Sequence, residues 1–244
     1  MIDRDFSHNN HFTGYMEVIF NTLKEELQVP SKILDLPAGY GLLGNELKKL
    51  GHDVIYADIN EERKDYAQVN MELALPFANN EFDAVICMEG IEHIINQNQF
   101  LNELVRITKK GGLICISTPN ISNFWSRLYF LFTGHFYGFP PHLVRVQNTN
   151  VLLDKGHISP ISIYQLGYLM AVSGAGLFKA TGDRFKKKVM YPLALLVYPF
   201  NYLYANWMIK KMPDGMFATD KNTRVYFNFA VFFSRSLITF FVKR

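Results

Sequence analysis

The apolar positions keep two rhythms along the first half of the chain. From His11 to Gln28 they recur at every fourth residue, with Tyr15, Ile19, Leu23 and Leu27 on one face. That spacing predicts an amphipathic helix, closed by Pro30. Short continuous apolar runs follow at Lys32–Leu36, His52–Asp58, Phe82–Met88 and Leu113–Thr118, and each reads as a buried strand. Between them, Gly39–Leu50 reads as a loop opening into a helix that Gly51 caps, and Ile59–Tyr66 as a short polar helix. Val69–Phe77 crosses back toward the sheet, and Ile91–Thr108 is a helical region before a Lys109–Gly112 turn. Strands and helices alternating at this interval predict a parallel sheet covered on both faces.

After Pro119-Asn120 the pattern loses its alternation. Phe124–Phe139 is dense in Phe, Tyr and Trp and reads as an aromatic loop over a ligand site, followed by Pro140-Pro141-His142. Gly156-His157 precedes a helix at Ile161–Ser173, and Leu177–Asp183 is a further strand. Val189–Ile209 is almost wholly apolar between Lys186–Lys188 and Lys210-Lys211. Val225–Phe233 alternates loosely and reads as the last strand, with an apolar tail at Leu237–Val242. The expected fold is therefore α/β, a Rossmann-like doubly wound, mostly parallel sheet with an aromatic lid and an apolar insertion before the last strand. It divides one domain into residues 1–30 (N-terminal helix), 31–120 (cofactor-binding core), 121–160 (lid and acceptor region) and 189–211 (apolar insertion).

Composition narrows the classes. A chain of 244 residues suits one such domain, and a net charge of +3 is too mild to argue for nucleic acid. The two cysteines, Cys87 and Cys115, each fall inside a buried strand, which predicts a reduced, intracellular protein with neither disulfide nor metal site. The polar start, Met1–Phe6, lacks the apolar stretch of a secretion signal, so a cytoplasmic location is expected.

The chemistry concentrates at the first strand. Gly39-Tyr40-Gly41-Leu42-Leu43-Gly44 has the G-x-G-x-x-G spacing, and Asp58 stands at the distance of a ribose-binding acid. Asp35 changes the reading, because a carboxylate at the mouth of that strand repels a pyrophosphate and attracts a cation. S-adenosylmethionine has a sulfonium, an ammonium and no phosphate. Ile33–Gly41, Asp58, Leu75-Pro76-Phe77, Phe82–Val85 and Ile91-Glu92-His93-Ile94 together resemble the class I S-adenosylmethionine-dependent methyltransferases, nearest the small-molecule branch acting on quinones and sugars. The resemblance implies S-adenosylmethionine as cofactor and S-adenosylhomocysteine as product. It places Asp35, Gly39 and Gly41 at the methionine end, with Pro37 where the family more often has glycine. It further puts Asp58 on the ribose, Ile59 on the adenine face, Asn70 and Met71 at the adenine edge, and Glu89 beside the methionine through its backbone.

The acceptor side is less defined. An oxygen nucleophile needs a base near neutral pKa. His157, which precedes the helix beside the site in the resembling family, is the first candidate. His142 and His135 in the aromatic loop come next, then His93, and Tyr137 is an orienting group; each also has an ordinary structural reading. The expected activity is methylation of a small-molecule acceptor, on an oxygen of a sugar, quinone or lipid-linked glycan. An NAD-dependent oxidoreductase or epimerase, or a non-catalytic membrane-attached module, is the alternative. Val189–Ile209 suits a membrane-surface element, a cover over an acceptor tunnel, or a homodimer face, since Pro192, Pro199 and several tyrosines disfavour a spanning helix.

Overall fold

The structure, a computed structural model, describes residues 11–27, 29–59, 64–140, 156–185, 188–211, 225–226 and 228–244. Helix α1 (Gly14–Glu26) leads into β1 (Lys32–Asp35), α2 (Leu42–Lys49), β2 (Asp53–Asp58), β3 (Ala67–Gln68) and β4 (Phe82–Met88). A 3-10 turn (Ile91–His93), α3 (Gln97–Ile107), β5 (Thr108–Pro119) and α4 (Phe124–Thr133) follow. The chain then builds α5 (Ile163–Val172), β6 (Ala175–Gly182), α6 (Tyr191–Lys211), α7 (Phe229–Phe233) and β7 (Ser236–Lys243).

Seven strands form one sheet in the order β3-β2-β1-β4-β5-β7-β6. The first five pair in parallel, while β7 runs antiparallel between β5 and β6. The strand order reverses between β1 and β4, and open α/β sheets bind their ligands outside the strand C-termini at such a point. Both faces are buried, which is why the strands read as continuous apolar runs. Ile33, Ile86, Cys115 and Phe240 pack toward α1 and α2, while Leu34, Val85, Ile114 and Phe241 pack toward α3 and α5.

Three expectations need correcting. Val225–Phe233 is not the last strand: its described part contains helix α7, and the tail forms the real one, β7. Asn228 decides this locally, because its side chain accepts from the Val231 N–H at 2.8 Å and caps the helix. Asn120 holds the other end through the Val231 and Ser234 carbonyls. The aromatic stretch after Asn120 is mostly helix, since Asn123 accepts from the Ser126 N–H at 2.7 Å to start α4; only the part from Gly134 is loop. Lys109–Gly112 lies inside β5 as an irregularity, where the register jumps between the pairs Phe82/Thr108 and Ala84/Leu113. Most of the short helix expected at Ile59–Tyr66 lies outside the described residues; the described part shows a turn at Lys64-Asp65, with the short edge strand β3 after it.

A third cluster sits apart from the sheet, where α4, α6 and α7 meet through Phe124, Ala194, Phe232 and Phe233. Arg127 on α4 donates to the Asn201 side chain on α6 at 3.0 Å. Beyond these contacts α6 leaves Leu193, Leu196, Phe200, Leu203 and Trp207 exposed, and α4 leaves Leu131 and Phe132 exposed. No helix among the described residues is long and apolar enough to cross a membrane.

Candidate functional site

The loop after β1 is pinned on both sides before it reaches α2. Leu36 N–H donates to the Ile86 carbonyl on β4, and Ala38 N–H to the Ala57 carbonyl on β2, each at 2.9 Å. Gly39 and Gly41 both take positive φ, +52° and +68°, where a side chain is strained. A Cβ on Gly39 would meet no atom within 4 Å, so the loop backbone fronts open space, whereas one on Gly41 would strike the Tyr66 hydroxyl. Gly44 serves the third role of this spacing: a Cβ there would fall on the Tyr56 ring, so α2 lies close on β2.

Two carboxylates face this loop. Asp58, buried at the end of β2, accepts the Gly39 N–H at 2.9 Å. Asp35, at the end of β1, is wholly buried, and neither of its oxygens has a hydrogen-bond partner. Burial pushes its pKa well above the carboxylate range; the Gly44 N–H opposes the shift without closing a hydrogen bond, and Asp58 adds to it. Two buried, unanswered acceptors beside an open glycine backbone suit a ligand that brings a cation to Asp35.

The other residues expected at the cofactor lie around the same sheet end. Gly90 packs so closely on Pro37 that an added Cβ would sit 2.6 Å from the proline Cδ, which joins the β1 and β4 loops. Glu89 has φ +48°, and its N–H bonds to the Ser117 carbonyl at 3.0 Å. The Glu89 carboxylate accepts from the Ser117 hydroxyl at 3.3 Å. Burial raises its pKa to about 7, against the opposing pull of Arg235. Ile59 is half-buried directly after Asp58. Asn70 and Met71 follow β3, whose Gln68 pairs with Asp58; the Asn70 carboxamide oxygen accepts the Glu72 N–H at 2.9 Å, and Met71 packs on the core.

Next to the β4 end is a second polar group. The 3-10 turn folds Glu92 inward, where it is fully buried and its Oε2 accepts from the Thr118 hydroxyl at 3.2 Å. Burial, then Glu89, holds its pKa well above the usual range. His157 Nε2 stands 3.9 Å from Glu92 Oε1, and the His93 and His157 rings meet edge to face at 4.9 Å. The segments are stapled together, because Ile158 and Ser159 N–H both donate to the Glu92 carbonyl and the Gln97 amide bridges Ile91 and Ser159. His157 also borders a cavity of about 390 Å³ together with Tyr129, Phe136, Tyr137, His135 and Arg235. His142 lies outside the described residues.

Sequence reasoning did not single out Tyr15, Arg235 or Asp183 for the site. Tyr15 reads as a core position of α1, yet it is close enough to Glu89 for the two charges to interact, and burial followed by Glu89 pushes its pKa up to about 12. Arg235 and Asp183 reach Glu89 only through the β6–β7 pairing, which no local pattern foretells. Glu92 was visible beside His93, but only its inward turn gives it a role.

The sheet order, the antiparallel β7 and the glycine loop between two acids define the class I, Rossmann-like methyltransferase architecture. A solved S-adenosylmethionine-dependent methyltransferase from Archaeoglobus fulgidus superposes with a TM-score of 0.55 at 14% identity, covering 93% of this chain and 94% of that one. Residues 34–116 match the family described as methyltransferase domain. The chain is 35% identical over 109 residues to a demethylmenaquinone methyltransferase of Corynebacterium urealyticum, covering 41% of this chain and 47% of the relative. It is 29% identical over 103 residues to a ubiquinone biosynthesis O-methyltransferase of Dechloromonas aromatica, covering 36% and 44%. The match thus spans less than half the length of either relative.

Proposed function

We propose that this protein is an S-adenosylmethionine-dependent methyltransferase acting on a small ring acceptor of the quinone type. The buried, unanswered Asp35 carboxylate beside the open glycine loop carries the reading. S-adenosylmethionine supplies an electrophilic methyl group on a positively charged sulfur. Asp35 answers the cofactor's ammonium, with Pro37, Gly39 and Gly41 as the wall of the methionine end. Asp58 takes the ribose hydroxyls, which a carboxylate matches bidentately. Ile59, Asn70 and Met71 border the adenine, and Glu89 borders the methionine. The Glu92–His93–His157 group activates the acceptor from the inner wall of the aromatic cavity. The names of the two quinone-pathway relatives support the acceptor class.

An NAD-dependent activity is disfavoured by the same carboxylate, which a pyrophosphate would have to approach. Calorimetry separates the two: S-adenosylhomocysteine binds and NAD does not. Asp58→Ala costs ~1–3 kcal/mol of that binding, a ~5- to ~150-fold rise in Kd. Tight NAD binding without any for S-adenosylhomocysteine overturns the reading.

The exposed apolar faces of α4 and α6, joined through one cluster, support contact with a lipid bilayer surface, where a quinone resides, and α4 also lines the aromatic cavity through Tyr129. Tyr202, Tyr204 and Trp207 suit the headgroup level, and Lys211 lies over the Trp207 ring at 4.5 Å near the end of the helix. In flotation with anionic liposomes the protein rises with the lipid, and a Leu196→Ser, Phe200→Ser, Leu203→Ser variant stays behind. A protein that remains below the lipid and sediments as a dimer covering this face replaces the bilayer with a second copy.

A further inference from the structure

We infer that Glu92, His93 and His157 form a binding site for one divalent first-row transition-metal ion at the inner wall of the acceptor cavity. The three residues come from the turn after β4 and from the segment before α5, and their candidate ligand atoms all lie within 4.8 Å of one another. His157 Nδ1 is 2.9 Å from the Gly138 carbonyl, an acceptor only, so Nδ1 carries the proton of that contact. His157 Nε2 stands 3.9 Å from Glu92 Oε1. Oε1 is buried and has no hydrogen-bond partner, although Glu92 as a residue is fully enclosed. A buried carboxylate oxygen without a hydrogen-bond partner favours a cation beside it.

A metal ion bridges a gap of this width. With bonds of about 2.1 Å, two ligands of one ion stand roughly 3–4.2 Å apart, and the Glu92–His157 separation falls inside that range. His93 completes a two-histidine, one-carboxylate set by a small movement of its ring, and such a set leaves coordination positions open for a substrate oxygen. Imidazole ligands suit Zn²⁺, Fe²⁺, Ni²⁺ or Cu²⁺ better than Mg²⁺ and Ca²⁺.

The surroundings are those of a prepared site. The Gly138 carbonyl fixes the His157 tautomer, and the Thr118 hydroxyl orients the far oxygen of Glu92. The two N–H bonds from Ile158 and Ser159 to the Glu92 carbonyl hold the segments in register before any ion arrives. Its use rests on the proposed methyl transfer: an ion here polarises an acceptor hydroxyl in the adjoining cavity and helps it release its proton to solvent.

Cobalt titration of the full chain, first stripped with a chelator, tests the site. The expected result is one Co²⁺ per chain with the visible d–d bands of a four- or five-coordinate ion, displaced by Zn²⁺ and unaffected by excess Mg²⁺. His157→Ala, at a side chain 34% exposed and so tolerated by the fold, weakens uptake more than about tenfold, and Glu92→Gln does the same. Sub-stoichiometric uptake, or equal uptake by the wild type and His157→Ala, overturns the site. Calorimetry with S-adenosylhomocysteine on the same samples keeps the two readings apart. Cofactor binding without cobalt uptake removes the metal site alone, and cobalt uptake without cofactor binding removes the methyltransferase reading alone.

Discussion

Asp35→Asn raises the melting temperature of the unliganded protein at neutral pH while weakening S-adenosylhomocysteine binding by ~30- to ~5000-fold. The two effects have one cause. The carboxylate is buried without a hydrogen-bond partner, so its proton is held more tightly in the folded chain than in the unfolded one. Between the unfolded pKa, about 3.9, and the raised folded value, the native state binds more protons than the unfolded state. Stability therefore falls as pH rises through that window. Asn carries no such charge, and its melting temperature loses this slope. The gain at neutral pH is about 1–3 kcal/mol, and at this chain length each kcal/mol moves the melting point by ~2–4 °C. In the complex the relation inverts, because the cofactor's ammonium then answers the charge. Removing one partner of a buried charge pair costs ~2–5 kcal/mol of binding. Melting curves between pH 5 and pH 8, with calorimetry on both proteins, read both quantities; unchanged affinity would show that Asp35 does not face the cofactor.

Phe240→Ala carries the largest expected loss of stability. Its ring is fully buried at the centre of β7, between β5 and β6, on the face packed against α1 and α2. Emptying such a position costs ~3–5 kcal/mol, a fall of ~6–20 °C in melting temperature. Phe229→Ala is the informative contrast, since that ring is 42% exposed on α7 and its removal costs about 1 kcal/mol or less. Denaturant unfolding of both variants checks the pair. Equal losses would return the last strand to residues 225–233.

That contrast shows where the sequence was ambiguous. Val225–Phe233 and Leu237–Val242 are both short, apolar and aromatic, and such runs satisfy a helix and a strand alike. The side chain of Asn228 settled the first as helix, and seven pairs with β5 settled the second as strand. The aromatic stretch at α4 was ambiguous for the same reason and was decided by the Asn123 cap. By contrast, β1, β2 and β4 were legible because strands buried on both faces have no polar side to disguise them.

The site divides along the same line. Asp35, the glycine loop and Asp58 belong to one strand–loop–helix–strand unit, so local charge and spacing were enough to single them out as a candidate ligand site. His157 and Glu92 stand far apart in the chain, and only the backbone bonds from Ile158 and Ser159 to Glu92 bring them together. Arg235 likewise reaches Glu89 only because β7 runs back along β5. The sequence by itself determined the layered α/β fold and set two acids around its first glycine loop, because burial and local backbone needs are written in neighbouring residues. Only the tertiary structure decided which run became the final strand and which acids and histidines stand together. Those outcomes depend on hydrogen-bond partners distant in the chain, which no local pattern of apolar and polar positions encodes.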